Sequence, residues 1–306
     1  MARYLIKRIV LGLVTLFALM TITFFMMHLI PGSPFAGEMS KLPATVKAQL
    51  IKQYQLDQPI GVQFLTYLGN VMHGDFGTSL NRKGTTVMSI IAKGLPATAK
   101  VGTVAFIVAL AAGILLGAAG AFSRKKWVQG IVAFFGTIGV SVPSFLLALL
   151  LMWVFGVWLK ALPIIGLSSW KNYIMPSISL ALGPIAMISR LTRNSLVEQM
   201  KEDYMILARS KGTSRTRVIW RHALKNACIP VITYAGPLFA TLLTGSFVVE
   251  TMFSIPGIGA EFVNSVSNRD YTMIMALTII YGGSIILVNI ITDLIIAAID
   301  PRIRLR

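Results

Sequence analysis

The sequence predicts an all-α polytopic membrane protein with six transmembrane helices. Of its 306 residues 55% are hydrophobic and only 13% are charged, and the mean hydropathy is +0.74. Apolar runs of roughly 20 residues recur along the chain, and each can cross about 30 Å of hydrocarbon at about 1.5 Å per helical residue. The runs are continuously apolar rather than alternating, which favours helices over the strands of a β-barrel.

Six apolar runs are the predicted spans. The first is too long for a signal peptide and no small-residue cleavage site follows it, so we expect a transmembrane helix there. Pro143 and Ser144 interrupt the third run, and Pro184 and Pro237 lie inside the fourth and fifth, where they permit bending. The predicted spans are residues 9–30, 97–122, 127–158, 174–188, 230–249 and 273–299.

The distribution of the 28 Lys and Arg residues predicts the orientation of the spans. With the N-terminus in the cytoplasm, the cytoplasmic side holds three basic residues near that end, three at 124–126, nine from Arg190 to Lys225 and three at the C-terminal end. This is the positive-inside pattern, and it predicts that both termini are cytoplasmic. Topology and attraction to membrane lipid then explain the net charge of +17 without a nucleic-acid partner.

The polar segment between the first two spans is predicted to be helical and extracytoplasmic. Val46, Leu50 and Tyr54 recur at helical spacing, and a second amphipathic helix follows over residues 60–71, with Asp57 as its cap and Pro59 near its first turn. A turn-rich element spans 73–79. These helices can shield the spans, receive a soluble ligand carrier, or do both.

The predicted spans and loops divide the chain into three parts. They are residues 1–30, the cytoplasmic end and first span; 31–96, the extracytoplasmic segment; and 97–306, a transmembrane core with a cytoplasmic segment at 190–229.

The sequence carries no pattern that predicts catalysis, a cofactor or a metal. GxxxxGK[ST], GxSxG and HExxH are all absent, and the three histidines are far apart. The single cysteine, Cys228, excludes an internal disulfide and a cysteine-cluster metal site. Ser168 and Lys171 match SxxK on an outer loop, which we interpret as chance. The GxxxG match at 113–117 indicates close helix packing.

Two polar residues in the sixth span share one helix face. Asn289 and Asp293 are four positions apart, and a carboxylate at membrane depth needs a partner or a wet cavity. Because Asp293 lies near the cytoplasmic end, we interpret it as half of a structural pair with a cation rather than as a proton relay.

A long charged insert separates the fourth and fifth spans. Residues 195–209 are predicted to form one helix with Leu196, Met200, Tyr204 and Leu207 or Ala208 along one side, and Gly212 to end it. A second helix is predicted over 213–227, before Pro230 starts the fifth span. Such a rigid element on the cytoplasmic face is suited to docking another protein, although an ordinary interfacial hairpin is the alternative.

Short motifs in the insert and elsewhere carry a resemblance to a known family. The chain resembles the membrane permease subunits of binding-protein-dependent ABC importers, in the oligopeptide, dipeptide and nickel subgroup, over nearly its whole length. It departs from the general signature, which opens with Glu-Ala-Ala, by having Leu207-Ala208-Arg209. The matching pieces are Asp203-Tyr204, Ala208-Arg209, Lys211-Gly212, His222-Ala223-Leu224, Asn226-Ala227, Ile229-Pro230, Pro31 to Phe35, His73 to Gly77, Leu95 to Thr98, Val142 to Phe145, Glu250 to Gly259, Asn268 to Tyr271 and Asp300-Pro301-Arg302.

The resemblance implies a type I ABC importer permease fold in a bacterial cytoplasmic (inner) membrane. Its partners would be a second, related permease subunit, two cytoplasmic ATPases that hold ATP and Mg, and an extracytoplasmic solute-binding protein. The chain itself would then bind no cofactor and have no enzymatic activity.

The resemblance also assigns three groups of residues. The residues implied to couple the chain to the ATPase are Asp203, Tyr204, Ala208, Arg209, Lys211 and Gly212, supported by His222, Asn226 and Pro230. Those implied for an outer vestibule or carrier docking are Glu250, Pro256, Gly257, Gly259 and Asp270.

The substrate and two rival functions remain open at this point. The sequence GSPF after the first span is most similar to the oligopeptide-type member, but dipeptides, nickel and metal chelates stay as alternatives. A secondary transporter driven by protons through Asp293 is a rival, disfavoured because no inverted repeat is evident. An intramembrane enzyme would need a second polar partner at membrane depth, which the sequence does not offer.

Overall fold

A computed structural model of the chain describes residues 2–29, 57–82, 84–210 and 223–299, together with Pro43, Thr45 and Ile51. Apart from one antiparallel bridge between Thr78 and Thr86, the regular structure of these residues is helical. The helices are α1 Ala2–Leu29, α2 Ile60–Met72, α3 Val87–Phe122, α4 Lys126–Ser141, α5 Ser144–Leu151 continued by a π-helical turn Met152–Trp158, α6 Ile174–Gln199 preceded by a 3-10 turn Trp170–Tyr173, α7 Asp203–Ser210, α8 Leu224–Thr244, α9 Phe247–Met252, α10 Ile258–Ser267 and α11 Tyr271–Ile299.

The predicted set of six spans is confirmed. Five helical segments are long and apolar enough to cross a membrane, and α4 with α5 and its π-helical turn make a sixth when the bent pair counts as one span. That pair is bent by 106°. Val142 before Pro143 is extended, with ψ 117°, because a proline disfavours helical geometry in the residue before it. The predicted interruption of the third span therefore lies at Pro143.

Three boundaries of the predicted second and fifth spans were wrong. The second span belongs to a helix that starts at Val87 and carries Pro96 inside it, not to one that starts at residue 97. The fifth starts at Leu224, not Pro230, and ends at Thr244, not at residue 249. Gly245 ends it because its φ of +82° is a conformation that side chains rarely adopt.

The outer segment was predicted correctly in part. The amphipathic helix expected at 60–71 is α2, but Asp57 does not cap it. Pro59 is the N-cap and makes no side-chain cap bond; Asp57 lies two positions earlier, and Gln63 Nε2 instead donates to the Gln58 carbonyl at 2.8 Å. The helix predicted around Val46, Leu50 and Tyr54 lies outside the described residues. The turn-rich element is confirmed, since Gly74 and Gly77 have φ of +79° and +80°.

The described chain forms two compact units. The unit we call the core unit lies within Ala97–Pro256 and Ile285–Arg306, and the flanking unit lies within Ala2–Pro96 and Gly257–Ser284. Buried apolar side chains fill both. In the core unit they include Val101, Met175, Ile188, Val249 and Phe253. In the flanking unit they include Phe24, Val87, Ile91, Ile258 and Met273.

Glycines set how closely α3 packs on α6 in the core unit. A Cβ at Gly113 would lie 2.7 Å from the Cβ of Ile188, and one at Gly117 would lie 2.5 Å from the Ser189 carbonyl oxygen. A side chain at either position would therefore force the helices apart. The predicted role of the GxxxG match in close helix packing is confirmed.

Candidate functional site

The insert between α6 and α8 is broken where one helix was predicted. α6 runs on to Gln199, the chain turns at residues 200–202, and α7 begins at Asp203. The single helix expected over 195–209 is therefore wrong. Asp203 in the first turn of α7 is suited to a helix start, because a carboxylate there is attracted by the positive end of the helix dipole.

Tyr204 ties three elements of the core unit together. Its hydroxyl donates to Gln199 Oε1 at 2.6 Å and accepts from Asn226 Nδ2 at 3.3 Å. Gln199 is the last residue of α6, and Asn226 lies in the first turn of α8. A residue predicted to couple and one predicted to support it are thus in direct contact.

Met205 anchors α7, and it was missed in the sequence. Its side chain is fully buried against Ala223, which is also fully buried, with Met200 and Tyr204 packed beside them. The predicted helix had Leu207 or Ala208 on the same side as Met200 and Tyr204, but Leu207 is 57% exposed. To predict which side of α7 is buried, one must know that the helix breaks at 200–202. The signal for that break in the sequence was Asp203, a residue suited to a helix start.

The opposite face of α7 is exposed. Asp203, Leu207 and Ser210 are spaced by four and three positions, so they share one helix face, and all three are exposed. Leu207 is the apolar residue of this face, and its exposure leaves it open to contact with another protein. We call these three residues the α7 face.

The remaining residues of the predicted coupling group are only partly described. Ala208 and Arg209 lie in the helical backbone of α7. Lys211, Gly212 and His222 lie outside the described residues, as does most of the second helix predicted over 213–227. Leu224–Ala227 belong instead to the start of α8. Pro230 is exposed inside α8 rather than at its start.

Glu250, predicted for the outer vestibule, is buried in the core unit. Its side chain is 3% exposed, and Oε1 accepts from the Thr98 hydroxyl at 2.8 Å. A Cβ at Gly245 would lie 2.3 Å from the same carboxylate oxygen. The glycine makes room for this carboxylate, and Glu250 joins α9 to α3.

Asp270, also predicted for the vestibule, is the centre of a buried hydrogen-bond network in the flanking unit. Its carboxylate is bonded by the Ser79 hydroxyl and accepts from the Leu80 N–H at 3.2 Å, the Thr272 hydroxyl at 2.9 Å and the Met273 N–H at 3.2 Å. The last bond caps the start of α11. We call these contacts the Asp270 network, and they join residues 79–81 to α11.

The glycines of the predicted vestibule are also buried, whereas Pro256 is exposed. Gly257 is the N-cap of α10 and Gly259 lies in its first turn. A Cβ at Gly94 would lie 3.3 Å from the Gly257 carbonyl carbon, so α3 lies close against this turn inside the flanking unit. The vestibule role of all five residues stays a prediction.

The polar pair of the last span is placed as the periodicity predicted. Asn289 and Asp293 lie one turn apart on α11, and both are partly buried. The cationic partner expected for Asp293 stays a prediction. Within the described residues no group of three or more His, Cys, Asp or Glu could hold a metal ion.

A cavity of about 450 Å³ lies within the flanking unit, lined in part by His28 and Tyr67. His28 Nδ1 lies 2.8 Å from the Phe24 carbonyl oxygen. Burial raises the pKa of the Tyr67 phenol in α2. The cavity was not predicted, because its lining comes from distant parts of the chain.

Known proteins resemble this chain along its whole length. Residues 109–305 match the family of binding-protein-dependent transport system inner membrane components, and residues 1–102 match the N-terminal family of such membrane components. The dipeptide transport system permease protein DppB of Lactococcus lactis subsp. cremoris is 41% identical over 305 residues, covering 100% of both chains. The oligopeptide transport system permease protein OppB of Salmonella typhimurium is 43% identical over 307 residues, covering 99% of this chain and all of the relative.

Solved structures share the fold at low sequence identity. An inward-facing methionine ABC transporter, MetNI, matches with a TM-score of 0.52 and 19% identity, over 70% of this chain and 97% of that one. An amino acid ABC transporter matches with a TM-score of 0.54 and 16% identity, over 68% of this chain and 93% of that one. These matches confirm the predicted ABC importer permease fold. The chain belongs to the inner membrane components of binding-protein-dependent transport systems.

Proposed function

We propose that this chain is the permease subunit through which an ABC importer moves oligopeptides across a bacterial cytoplasmic membrane. The relatives at 41% and 43% identity are named for dipeptide and oligopeptide transport, which supports peptides as the substrate class. Both termini face the cytoplasm in this proposal, as the distribution of basic residues predicts.

The proposed partners divide the work of transport. Two ATPase subunits in the cytoplasm bind ATP and Mg, a solute-binding protein delivers the peptide from outside, and a second, related permease subunit completes the pathway. Residues 31–96 form the extracytoplasmic segment of the proposed division of the chain. We assign this segment and the five predicted vestibule residues to the side that receives the solute-binding protein.

The observation that carries the proposal is the construction of α7. Met205 and Tyr204 hold this short helix against the ends of α6 and α8, while Leu207 is exposed on the other face. A push on the α7 face is therefore passed directly to two membrane spans, because buried packing is stiff and transmits displacement. We assign α7 and the following Lys211 and Gly212 to coupling with the ATPase.

Uptake measurements test this assignment. In the native host with the gene deleted, we would restore the intact chain or Leu207→Asp and measure uptake of labelled tri- to pentapeptides and of radioactive nickel. A carboxylate in the centre of an apolar contact loses its water without gaining a partner, so we expect peptide uptake to fall at least tenfold. The amount of chain in the membrane should not change, because Leu207 is exposed.

The matched control is Arg124→Asp, an exposed position on the loop between α3 and α4. It introduces the same carboxylate on the same proposed side and should leave uptake within about twofold, since surface changes are small. Normal peptide uptake by Leu207→Asp would contradict the coupling role.

Loss of nickel uptake alone on deletion would overturn the peptide assignment. Uptake that survives ATP depletion but is lost in Asp293→Asn would replace the importer by a proton-driven transporter.

A further inference from the structure

A crevice of about 550 Å³ opens between α4 and α6 in the core unit. The two helices touch at Gly139, where a Cβ would lie 2.7 Å from both the Ala186 Cβ and the Leu182 carbonyl oxygen. Nearer the start of α4, a Cβ at Gly136 or Gly130 would meet no atom within 4 Å. The helices therefore separate from Gly139 towards the start of α4 and leave room for a ligand.

The open end of the crevice is cationic. Arg190 and Arg193 of α6 line it together with the amides of Gln129 and Asn194, and no Asp or Glu is among its described lining residues. The Arg193 Cδ lies 3.2 Å from where a Cβ at Gly120 would be, so this glycine makes room for the stem of the arginine. Two guanidinium groups without a carboxylate favour an anion with several acceptor oxygens, such as a phosphate.

The buried hydroxyl of Ser189 lacks a hydrogen-bond partner among the described residues, which is independent support for a ligand in the crevice. This residue lines the crevice and is only 3% exposed. Within the described part of the chain, its hydroxyl oxygen has no hydrogen-bond partner. Buried hydroxyl groups in proteins are nearly always bonded, so a ligand oxygen that enters the crevice and displaces the atoms covering this hydroxyl would satisfy it.

Beyond Gln129, the α4 side of the crevice is apolar and lacks side chains larger than valine. Gly130, Val132, Ala133 and Gly136 line it, and the Thr137 hydroxyl donates to the Ala133 carbonyl at 3.0 Å. Because that hydroxyl is satisfied within its own helix, this wall offers a hydrocarbon chain only methyl, methylene and backbone surface. A free phosphate would fill the cationic end alone and leave this part empty.

We propose that the crevice binds one anionic phospholipid. Its phosphate lies on Arg190 and Arg193, its glycerol esters lie beside Ser189, and one acyl chain follows the Gly130–Gly136 side of α4. The headgroup then sits at the end of α6 that leads into α7, where a basic pocket between membrane helices meets the anionic leaflet. The proposal goes beyond the proposed function and does not depend on the identity of the transported substrate.

Native mass spectrometry of the purified importer complex tests the proposal. The probes are phosphatidylglycerol, phosphatidylcholine with the same acyl chains, and glycerol phosphate, which has the headgroup charge but no acyl chain. We expect phosphatidylglycerol to bind and neither of the other two to displace it at equal concentration. The double variant Arg190→Gln/Arg193→Gln should weaken binding about 25-fold, at about fivefold for each basic residue.

Two further variants separate the crevice from general surface charge. Gly136→Leu adds a side chain to the apolar part, where a Cβ would meet no atom within 4 Å, and keeps both arginines, so it should abolish phosphatidylglycerol binding. It carries the test alone if the double variant fails to assemble. Arg124→Gln removes an exposed basic residue outside the crevice and should leave binding unchanged.

Three results would overturn the proposal. Equal phosphatidylglycerol binding by the intact chain and by Gly136→Leu would show that the crevice is not the site. Displacement of the lipid by glycerol phosphate would identify a site for free phosphate. Displacement by a transported peptide would identify a site for the substrate carboxylate.

Discussion

The α7 face and the Asp270 network are both built around aspartates in family-like motifs, but they are built in opposite ways. Asp270 is 3% exposed, and it accepts hydrogen bonds from Thr272 and Met273 just after it in sequence and from the distant loop at 79–81. Asp203 is exposed at the start of a helix of eight residues that one methionine anchors. An aspartate in a family-like motif thus holds two parts of the fold together in the flanking unit, whereas in α7 it lies on an exposed face.

This difference predicts which substitutions damage the fold and which damage transport alone. Buried donors that lose their acceptor cost much free energy, whereas an exposed side chain can change without cost to the fold. Residues of the Asp270 network should therefore affect the amount and stability of the chain. Residues of the α7 face should affect uptake at unchanged stability.

The largest effect is expected from Asp270→Ala. It leaves the Ser79 hydroxyl and the N–H groups of Leu80 and Met273 without their acceptor, which should cost on the order of 3–5 kcal/mol of unfolding free energy. The measurement is the melting temperature in detergent and the amount of chain in the membrane. The control is Asp75→Ala, an exposed carboxylate that accepts from the Gly77 N–H at 2.8 Å and should cost far less.

A smaller loss of stability is expected from Met205→Ala. Truncating a fully buried methionine costs about 2–4 kcal/mol, and the loss should be local to α7. Protease cleavage between residues 199 and 226 should rise, and uptake should fall with it. Leu207→Ala is the matched change on the exposed face, and it should leave the cleavage rate unaltered while it lowers uptake. Equal cleavage of the two variants would contradict the assignment of inner and outer faces.

The third-largest loss of stability is expected when the close packing of α6 on α3 is disturbed. Gly117→Ala places a Cβ 2.5 Å from the Ser189 carbonyl oxygen, and overpacking of this kind costs about 1–3 kcal/mol. Gly130→Ala is the control, because a Cβ there meets no atom within 4 Å. The melting temperature should fall for the first variant only. Equal melting temperatures would mean that α3 and α6 can separate freely.

The smallest effect is expected from Tyr204→Phe. It removes the hydroxyl that donates to Gln199 and accepts from Asn226 but keeps the ring, so it should cost about 1 kcal/mol. A small rise in protease cleavage within α7 would show this cost. A loss as large as that of Met205→Ala would mean that the hydrogen bonds, and not the methionine, anchor the helix.

Features set by local composition could be predicted from the sequence. The six spans follow from hydropathy, the break at Pro143 follows from proline geometry, and the packing at Gly113 and Gly117 follows from their spacing. The start of α3 at Val87 could not be predicted, because Pro96 lies inside that helix although proline usually marks a boundary.

Features that depend on distant partners could not be predicted. Ser79 and Asp270 are 191 positions apart, so nothing local shows that the aspartate is buried rather than presented to a ligand. Met205 and Ala223 meet only because the chain turns at 200–202, which shifts the phase of α7 against α6. Helical spacing over an unbroken helix placed Leu207 or Ala208 on the side of Met200 and Tyr204 and left Met205 off that side.

The most direct test of the central claim is a cross-link between the α7 face and the ATPase. Cys228→Ser removes the native cysteine, and Leu207→Cys then places the only thiol on that face, with Arg124→Cys as the control. In intact membranes, a short cysteine-to-lysine cross-linker should join Leu207→Cys to the ATPase subunit and leave Arg124→Cys free. Cross-linking of Arg124→Cys alone, or of neither variant in a complex that still transports peptide, would contradict the assignment of α7 as the coupling surface.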